Sequence, residues 1–486
     1  MQRQPHEAKR RAGDDNSDLS TDGRQHRTGC GVLGYLAPRC SADDATRSNS
    51  QTSAVRTVRS TLAGLVLAVL GLTACGSGRA EPVEGAACDD VADHRDQSTV
   101  GSDSPAATAT GLGESDDEGR MGVLVNAKSE FDQCTAGGYW AWMNQTYDSM
   151  VVWEPYWDSR LDEFNRVFVS RNAYSIKVDT SRDPRSIEHP DWILRDADGD
   201  PVYIPFDCTS RCPQYAADAG NPEFRQAMLD DIATLVRRGY PGLMLDDVNL
   251  DWRFSDQEGD DIAPIDPRTG ARLTLEDWQR YMAEFVETIR SRFPDLKIMH
   301  NVIWYTEPPQ NDNPYLSRQI AAADYLMLER GATDPGLVKG TGRFGMRTFL
   351  DYIDSAHALG ANVLLLDETA TTVNEQWFNL AAGLLASNGH DLVSTEDWDL
   401  ISPDGFWSGF STNLGRALGP RYVDENLIRR DFTDGIVLLN EPGRDPVTIR
   451  LDAPMLTPSG QAVTSVTLDD REAIVLTHPD RTSAPG

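Results

Sequence analysis

The chain has 486 residues, and its 76 Asp and Glu against 45 Lys and Arg give a formal net charge of −31. That balance speaks against a nucleic-acid binder and against a polybasic membrane-surface protein, both of which need a basic face to meet phosphate. With 40% hydrophobic and 8% aromatic residues the chain can bury a large core, and its length suits two or three domains or one barrel with attachments.

Residues 1–54 are polar, carry Cys30 and Cys40, and show no periodicity; they are expected to lie ahead of the true start, near Val55 or Val58. Arg56 and Arg59 then lead into an apolar run, Thr61 to Ala74, closed by Cys75. A basic flank, a short apolar run and a small-residue exit have the form of a secretory signal, too short to span a bilayer comfortably. Leu72-Thr73-Ala74-Cys75 resembles a bacterial lipobox, which implies cleavage before Cys75 and a lipid on its thiol. A plain secretory signal with a chance cysteine is the simpler alternative. On the lipobox reading, 55–75 is the signal peptide and 76–120 a flexible acidic tether. The protein is then held by a lipid on the outer face of the cell membrane.

Four cysteines remain: Cys88, Cys134, Cys208 and Cys212. An even number in an exported chain suggests disulfides, Cys208 with Cys212 around a small loop and Cys88 with Cys134. A zinc site is the alternative, but these spacings fit no ordinary zinc pattern.

From Met121 onward short β-rich runs alternate with amphipathic helices, and all 11 Trp lie between Trp140 and Trp407. The predicted strands are 150–154, 175–179, 202–206, 242–246, 297–301, 325–329 and 363–367, with an eighth somewhere in 390–408. Helical patterns cover 159–170, 222–238, 274–292, 345–359 and 374–388. Asn221-Pro222 and Thr274 supply helix N-terminal signals for two of them. A hairpin is expected around Trp192 to Ile204, turning at Asp198-Gly199. Seven or eight βα units over roughly 270 residues fit a (β/α)8 TIM barrel, assigned to 121–424. After about 425, short strands without helices predict a small C-terminal all-β sandwich over 425–486.

Carboxylates follow the apolar runs directly: Glu154, Asp179, Asp246 with Asp247, Glu329, and Asp367 with Glu368. In a (β/α)8 barrel the strand ends converge on one mouth, where the active site sits. Any one acid could be a loop starter or a helix cap; together they suggest a ring. With Trp153, Trp157, Trp252, Trp304 and Trp407 nearby, such a mouth suits a sugar, whose apolar face stacks on indole while carboxylates bind hydroxyls. Two of the acids could then carry out a glycosidic displacement. Half of the tryptophans would, in the ordinary course, be core.

Gly242-Leu-Met-Leu-Asp-Asp-Val-Asn249 resembles the fourth-strand motif of several glycoside-hydrolase barrels. The order of the surrounding segments resembles the group called hypothetical glycosyl hydrolase 15. Tyr147 to Tyr156, the Asp-Ala-Asp-Gly hairpin and Tyr325 to Arg330 add to the likeness, which covers roughly 140–410. The last segment is similar to the β-sandwich appended to many such barrels. The resemblance implies Asp246 as nucleophile, or as base in an inverting enzyme, with Asp247 beside it and Asn249 as a hydroxyl ligand. It implies Glu329 as general acid, since strand five ends in Asn301 and not in a carboxylate. Asp367, Glu154, Asp179, Asn301 and Trp304 are the further expected contacts to substrate.

Other motifs carry less. Gly340-Thr-Gly342-Arg-Phe-Gly345 spells a dinucleotide fingerprint, but the preceding strand ends at Glu329, too far upstream. Asp247 to Glu258 echoes a calcium loop with Trp252 where Gly is required. His300 and His357 read as structural. The expectation is therefore a glycosidase acting on a poly- or oligosaccharide, neutral or cationic given the acidic chain. No cofactor, metal, nucleic acid or obligate protein partner is implied. The rivals are a non-catalytic glycan-binding lipoprotein and a transglycosylase using the same residues.

Overall fold

A computed structural model describes residues 118–127, 137–155, 157–164, 166–248, 253–302, 313–367, 370–395 and 406–479. The expected leader, signal, Cys75, Cys88 and the tether as far as residue 117, with Cys134, Asn249, Trp252, Trp304 and Glu368, lie outside the described residues, while Gly119, at the expected tether's end, pairs through its backbone with Leu414 and Gly415.

The first ten strands are β1 (Gly122–Ala127), β2 (Ser149–Val152), β3 (Val167–Asn172), β4 (Ser175–Lys177), β5 (Gln214–Ala216), β6 (Gly242–Asp246), β7 (Lys297–Asn301), β8 (Tyr325–Glu329), β9 (Asn362–Asp367) and β10 (Leu392–Thr395). Eight of them close into a barrel in the order β1-β10-β9-β8-β7-β6-β3-β2. Every neighbouring pair in it is parallel. The fold is a (β/α)8 barrel.

Alternation along the strands explains both faces. Leu124, Val151, Phe168, Met244, Met299, Tyr325, Met327, Leu364, Leu366 and Leu392 fill the interior. Their neighbours, such as Val169, Leu328 and Leu365, or Leu243, Leu245 and Ile298, pack outward into two larger cores with the helices. The helices start where caps permit. The Asn221 side chain accepts from Glu223 N and Phe224 N ahead of helix Pro222–Arg237, Thr274 caps Leu275–Arg292, and Thr372 with Glu375 forms a capping box on Val373–Ala386.

Three expectations need correction. Residues 159–170 are not a helix but a short 3-10 turn, Leu161–Glu163, followed by β3. The apolar spacing there mimics helical periodicity, while the run Val167-Phe168-Val169 belongs to a strand buried on both faces. Strand β4 lies outside the barrel and pairs antiparallel with β5, and Val202 to Phe206 is no strand, making only isolated bridges from Tyr203 to Tyr215 and to Ser255. Strands β1 and β3 take the places left open. The predicted hairpin is present inside this insertion: Gly199 turns at φ +87°, and Asp196 accepts from the Asp198 and Asp200 amides. A disulfide joins Cys208 and Cys212 in the same region.

The C-terminal strands are β11 (Tyr422–Asp424), β12 (Leu427–Asp431), β13 (Gly435–Leu439), β14 (Val447–Leu456), β15 (Ala462–Leu468) and β16 (Ala473–Thr477). They form one antiparallel sheet, order β11-β12-β13-β16-β14-β15. Ile428, Val437, Leu439 and Val475 join the barrel-side core, which also contains helix Val373–Ala386. Leu427, Ile436, Leu438 and Leu476 join a second core with Ile449 and Met455 of β14 and Val466 and Leu468 of β15. The register of the β14–β15 hairpin shifts between Arg450 and Met455. Both layers of the expected sandwich thus come from one sheet.

Candidate active site

β6, β7 and β8 are consecutive in the barrel, and each ends in a polar side chain on the interior side. Counting along the strands, Met244, Met299 and Met327 point inward, so Asp246, Asn301 and Glu329, two residues further on, do the same. Asn301 joins the two acids. Its Nδ2 donates to Asp246 Oδ1 at 2.8 Å and to Glu329 Oε1 at 3.1 Å. Its own Oδ1 accepts from Val248 N at 2.9 Å, which fixes which end of the amide faces the acids. Those two carboxylate oxygens therefore lie no further apart than two hydrogen bonds end to end, under about 6 Å.

Asp246 Oδ1 also accepts from Asp247 N at 2.9 Å, whereas its Oδ2 accepts no hydrogen bond among the described residues. Burial pushes the Asp246 carboxyl above its ordinary value of 3.8. The Asp247 amide, the Lys177 charge and the Asn301 amide pull it back only in part, and Asp207 adds to the rise. Lys177 and Asp207 come from the insertion that holds β4 and β5, and the strand-end pattern did not mark them. Lys177 is steered by a 2.9 Å bond to Gln214 Oε1. Asp247 turns aside at φ +60°, is nearly buried, and accepts from the Asn172 amide.

The remaining predicted acids are not brought to this cluster. Alternation sends Glu154 to the outer face of the wall. There it pairs with Arg171 and Arg238, and Arg171 also holds Asp231 of helix Pro222–Arg237 at 2.6 Å. Asp179 follows β4, which is no barrel strand; it is exposed and caps its own turn through Ser181 N and Oγ at 3.0 and 2.7 Å. Asp367 shares its side of β9 with Val363 and Leu365, so it too faces outward. It is fully buried and takes the Thr333 amide at 3.0 Å and the Thr333 hydroxyl.

The tryptophans divide similarly. Trp157 is fully buried, and Trp407 packs edge-on against Trp377 with centroids 4.8 Å apart. Trp153, on the inward side just past β2, is 51% exposed and is the one aromatic of the predicted five that the described residues leave open to solvent. His300 is buried between the Asn301 and Gln319 carbonyls, and His357 holds Asp391 at 3.0 Å. Both are structural. Gly345 caps helix Met346–Ala358 with no strand running into the glycine loop, so the dinucleotide fingerprint is only a spelling.

The profile of one protein family, Hypothetical glycosyl hydrolase family 15, matches residues 164–436. No curated protein sequence matches the chain. Among solved structures, the glycoside hydrolase domain of PelA from Pseudomonas aeruginosa is 16% identical, with 57% of this chain and 95% of that one covered at a TM-score of 0.36. The type III pullulan hydrolase from Thermococcus kodakarensis is 11% identical, covering 74% of this chain and 75% of that one at 0.42. Trehalose-6-phosphate hydrolase (TreA) from Bacillus licheniformis is 9% identical, covering 74% and 99% at 0.43.

Proposed function

The chain belongs to the hypothetical glycosyl hydrolase family 15, and from that membership we propose that it is a glycosidase in which Asp246 and Glu329 cleave an O-glycosidic bond by double displacement. The observation that carries this reading is the Asn301 bridge. Inverting enzymes separate their carboxyl groups by about 6.5–9.5 Å to admit a water, and retaining ones by about 5–5.5 Å. A single amide donating to both acids keeps the bonded oxygens under about 6 Å apart, which favours the retaining arrangement.

The roles follow from the hydrogen bonds. Asp246 Oδ1 is occupied by two N–H donors that favour the carboxylate, and Oδ2 is left to attack the anomeric carbon. Glu329 protonates the departing oxygen. It then takes a proton from the water that releases the glycosyl ester, returning both acids to their starting state. Lys177 lends positive charge beside the nucleophile, and Trp153 offers a face to a pyranose ring. The acidic chain favours a neutral or cationic glycan, and the lipobox at Cys75 supports a place on the outer face of the membrane.

A glycan panel tests the reading. Wild type should hydrolyse at least one member with the anomeric configuration of the product retained, as followed by proton NMR. Asp246→Asn and Glu329→Gln should lose hydrolysis while keeping binding. Binding without hydrolysis by wild type across the panel would leave a glycan-binding protein, and an inverted product would overturn the double displacement.

A further inference from the structure

Glu329 is followed by a stretch of turns, Arg330 to Gly345, that leads to helix Met346–Ala358. Its first two residues are both left-handed, Arg330 at φ +74° and Gly331 at φ +51°. Such a segment needs outside contacts to hold one shape. The barrel supplies some: Asp367 takes the Thr333 amide and hydroxyl, and Asn379 Oδ1 takes Ala332 N at 3.2 Å.

The others come from the C-terminal sheet. Arg471 sits in the turn between β15 and β16, itself left-handed at φ +56°. Its Nη1 donates to Thr333 O at 2.9 Å and to Asp334 O at 2.8 Å, and its Nη2 to Leu337 O at 3.0 Å. Three carbonyls gathered in one turn repel one another unless one donor group serves them all, and a planar guanidinium with five N–H bonds can do so. Glu441, just past β13, accepts from Gly340 N at 2.7 Å further along the same stretch.

We propose that Arg471 is a positioning residue for Glu329, and that the C-terminal sheet is thereby part of the catalytic unit. The inference rests on the reading of Glu329 as general acid. Without the guanidinium, Thr333, Asp334 and Leu337 lose a shared donor and the turn behind Glu329 relaxes. The carboxyl then loses its alignment with the leaving oxygen. Asp246, on the other side of Asn301, keeps its own bonds to Asp247 and Asn301.

That asymmetry gives the test. Protonation matters most when the leaving group is a poor one, such as a sugar or alkyl alcohol, and least when it is a nitrophenolate. The full chain and its Arg471→Ala, Arg471→Lys and Glu329→Gln variants are assayed on a pair of glycosides sharing one glycone, with alkyl and dinitrophenyl leaving groups. Arg471→Ala should lose roughly tenfold or more in kcat/KM on the alkyl glycoside and keep kcat/KM on the dinitrophenyl one within about threefold, because kcat/KM reports the first displacement alone and not the later work of Glu329 as a base. Arg471→Lys, which keeps charge but not the planar fork, should fall between. It also serves if the alanine variant does not fold. Equal losses on both substrates, or none on either, would overturn the proposal. If Glu329→Gln itself shows no leaving-group dependence, the assignment of the acid fails first; if it does and Arg471 variants do not, only the present inference fails.

Discussion

Glu441→Gln is the sharpest test of how the sheet is fastened to the barrel, because it needs no substrate. Glu441 has no exposed surface. Its Oε1 accepts from Gly340 N at 2.7 Å and Arg347 Nε at 3.1 Å, and its Oε2 from Arg347 Nη2 at 3.0 Å and Arg444 Nε at 2.5 Å. Glutamine keeps the shape and one acceptor oxygen but turns an NH2 towards the second pair of donors. Breaking a fully buried ion pair by removing one partner costs about 3–5 kcal/mol. Here the Arg347 and Arg444 side chains are 32% and 24% exposed, so water recovers part of the loss. A loss of about 2–3 kcal/mol at pH 7 follows.

The pH dependence of that loss is a second reading of the same contact. Burial alone would push the Glu441 carboxyl up, but Arg347, the Gly340 amide and Arg444 outweigh it and hold the group below its ordinary 4.5. A carboxyl with a depressed folded value stabilises the protein above its unfolded value, and that contribution disappears as pH falls through the folded one. The gap between wild type and variant should be full at pH 7 and close below pH 4.5. Urea unfolding followed by Trp fluorescence at pH 7 and at pH 4 measures both. Equal stability at pH 7, or a gap that persists undiminished into acid, would refute the reasoning.

Two further outcomes are expected. Asn301→Ala removes an N–H from each acid; Asp246 loses one of the groups that oppose its burial, so the acidic limb of kcat/KM should move to higher pH, with kcat/KM falling roughly 10- to 100-fold. An unmoved limb in the pH–rate profile would show that the bridge does not set the charge of Asp246, the proposed nucleophile. Reduction of Cys208–Cys212, whose partners are only 4 residues apart in sequence, should cost at most about 2 kcal/mol and leave the barrel folded. Denaturant midpoints with and without reductant report it, and collapse of the whole transition would contradict it.

The barrel and its polar strand ends were legible because a strand's register is written in its apolar run. What a strand end does not reveal is the side of the wall it faces. Val363-Leu-Leu-Leu366 is apolar on both faces, so the sequence hides the fact that Asp367 shares its side with the outward Val363 and Leu365. Glu154 escaped for the same reason. In the sequence β3 reads as the end of a helix, because Leu161, Phe164 and Phe168 recur at helical spacing on the way into a doubly buried strand. The clamp by Arg471 was out of reach altogether: its three carbonyl partners lie at least 134 residues away along the chain, and a backbone acceptor has no side-chain signature.

The two acids share one more feature that does not depend on any likeness to other barrels. Among the described residues, β6 and β8 are the only barrel strands followed directly by a non-glycine residue in the left-handed region, Asp247 at φ +60° and Arg330 at φ +74°. Each such residue costs about 1–3 kcal/mol, and glycine at either place would relieve it. A barrel serving only as a scaffold has no reason to keep the strain. Each turn is instead locked by a contact specific to it: Asn172 donates to Asp247, and Arg330 pairs with Asp334 at 3.3 Å under the grip of Arg471. At β6 the strained turn has a visible effect, since it brings the Asp247 amide back onto Asp246 Oδ1, while Oδ2 accepts no hydrogen bond among the described residues. Strain kept at the two strand ends that carry the acids, and held there by dedicated contacts, supports the proposed pairing of Asp246 with Glu329.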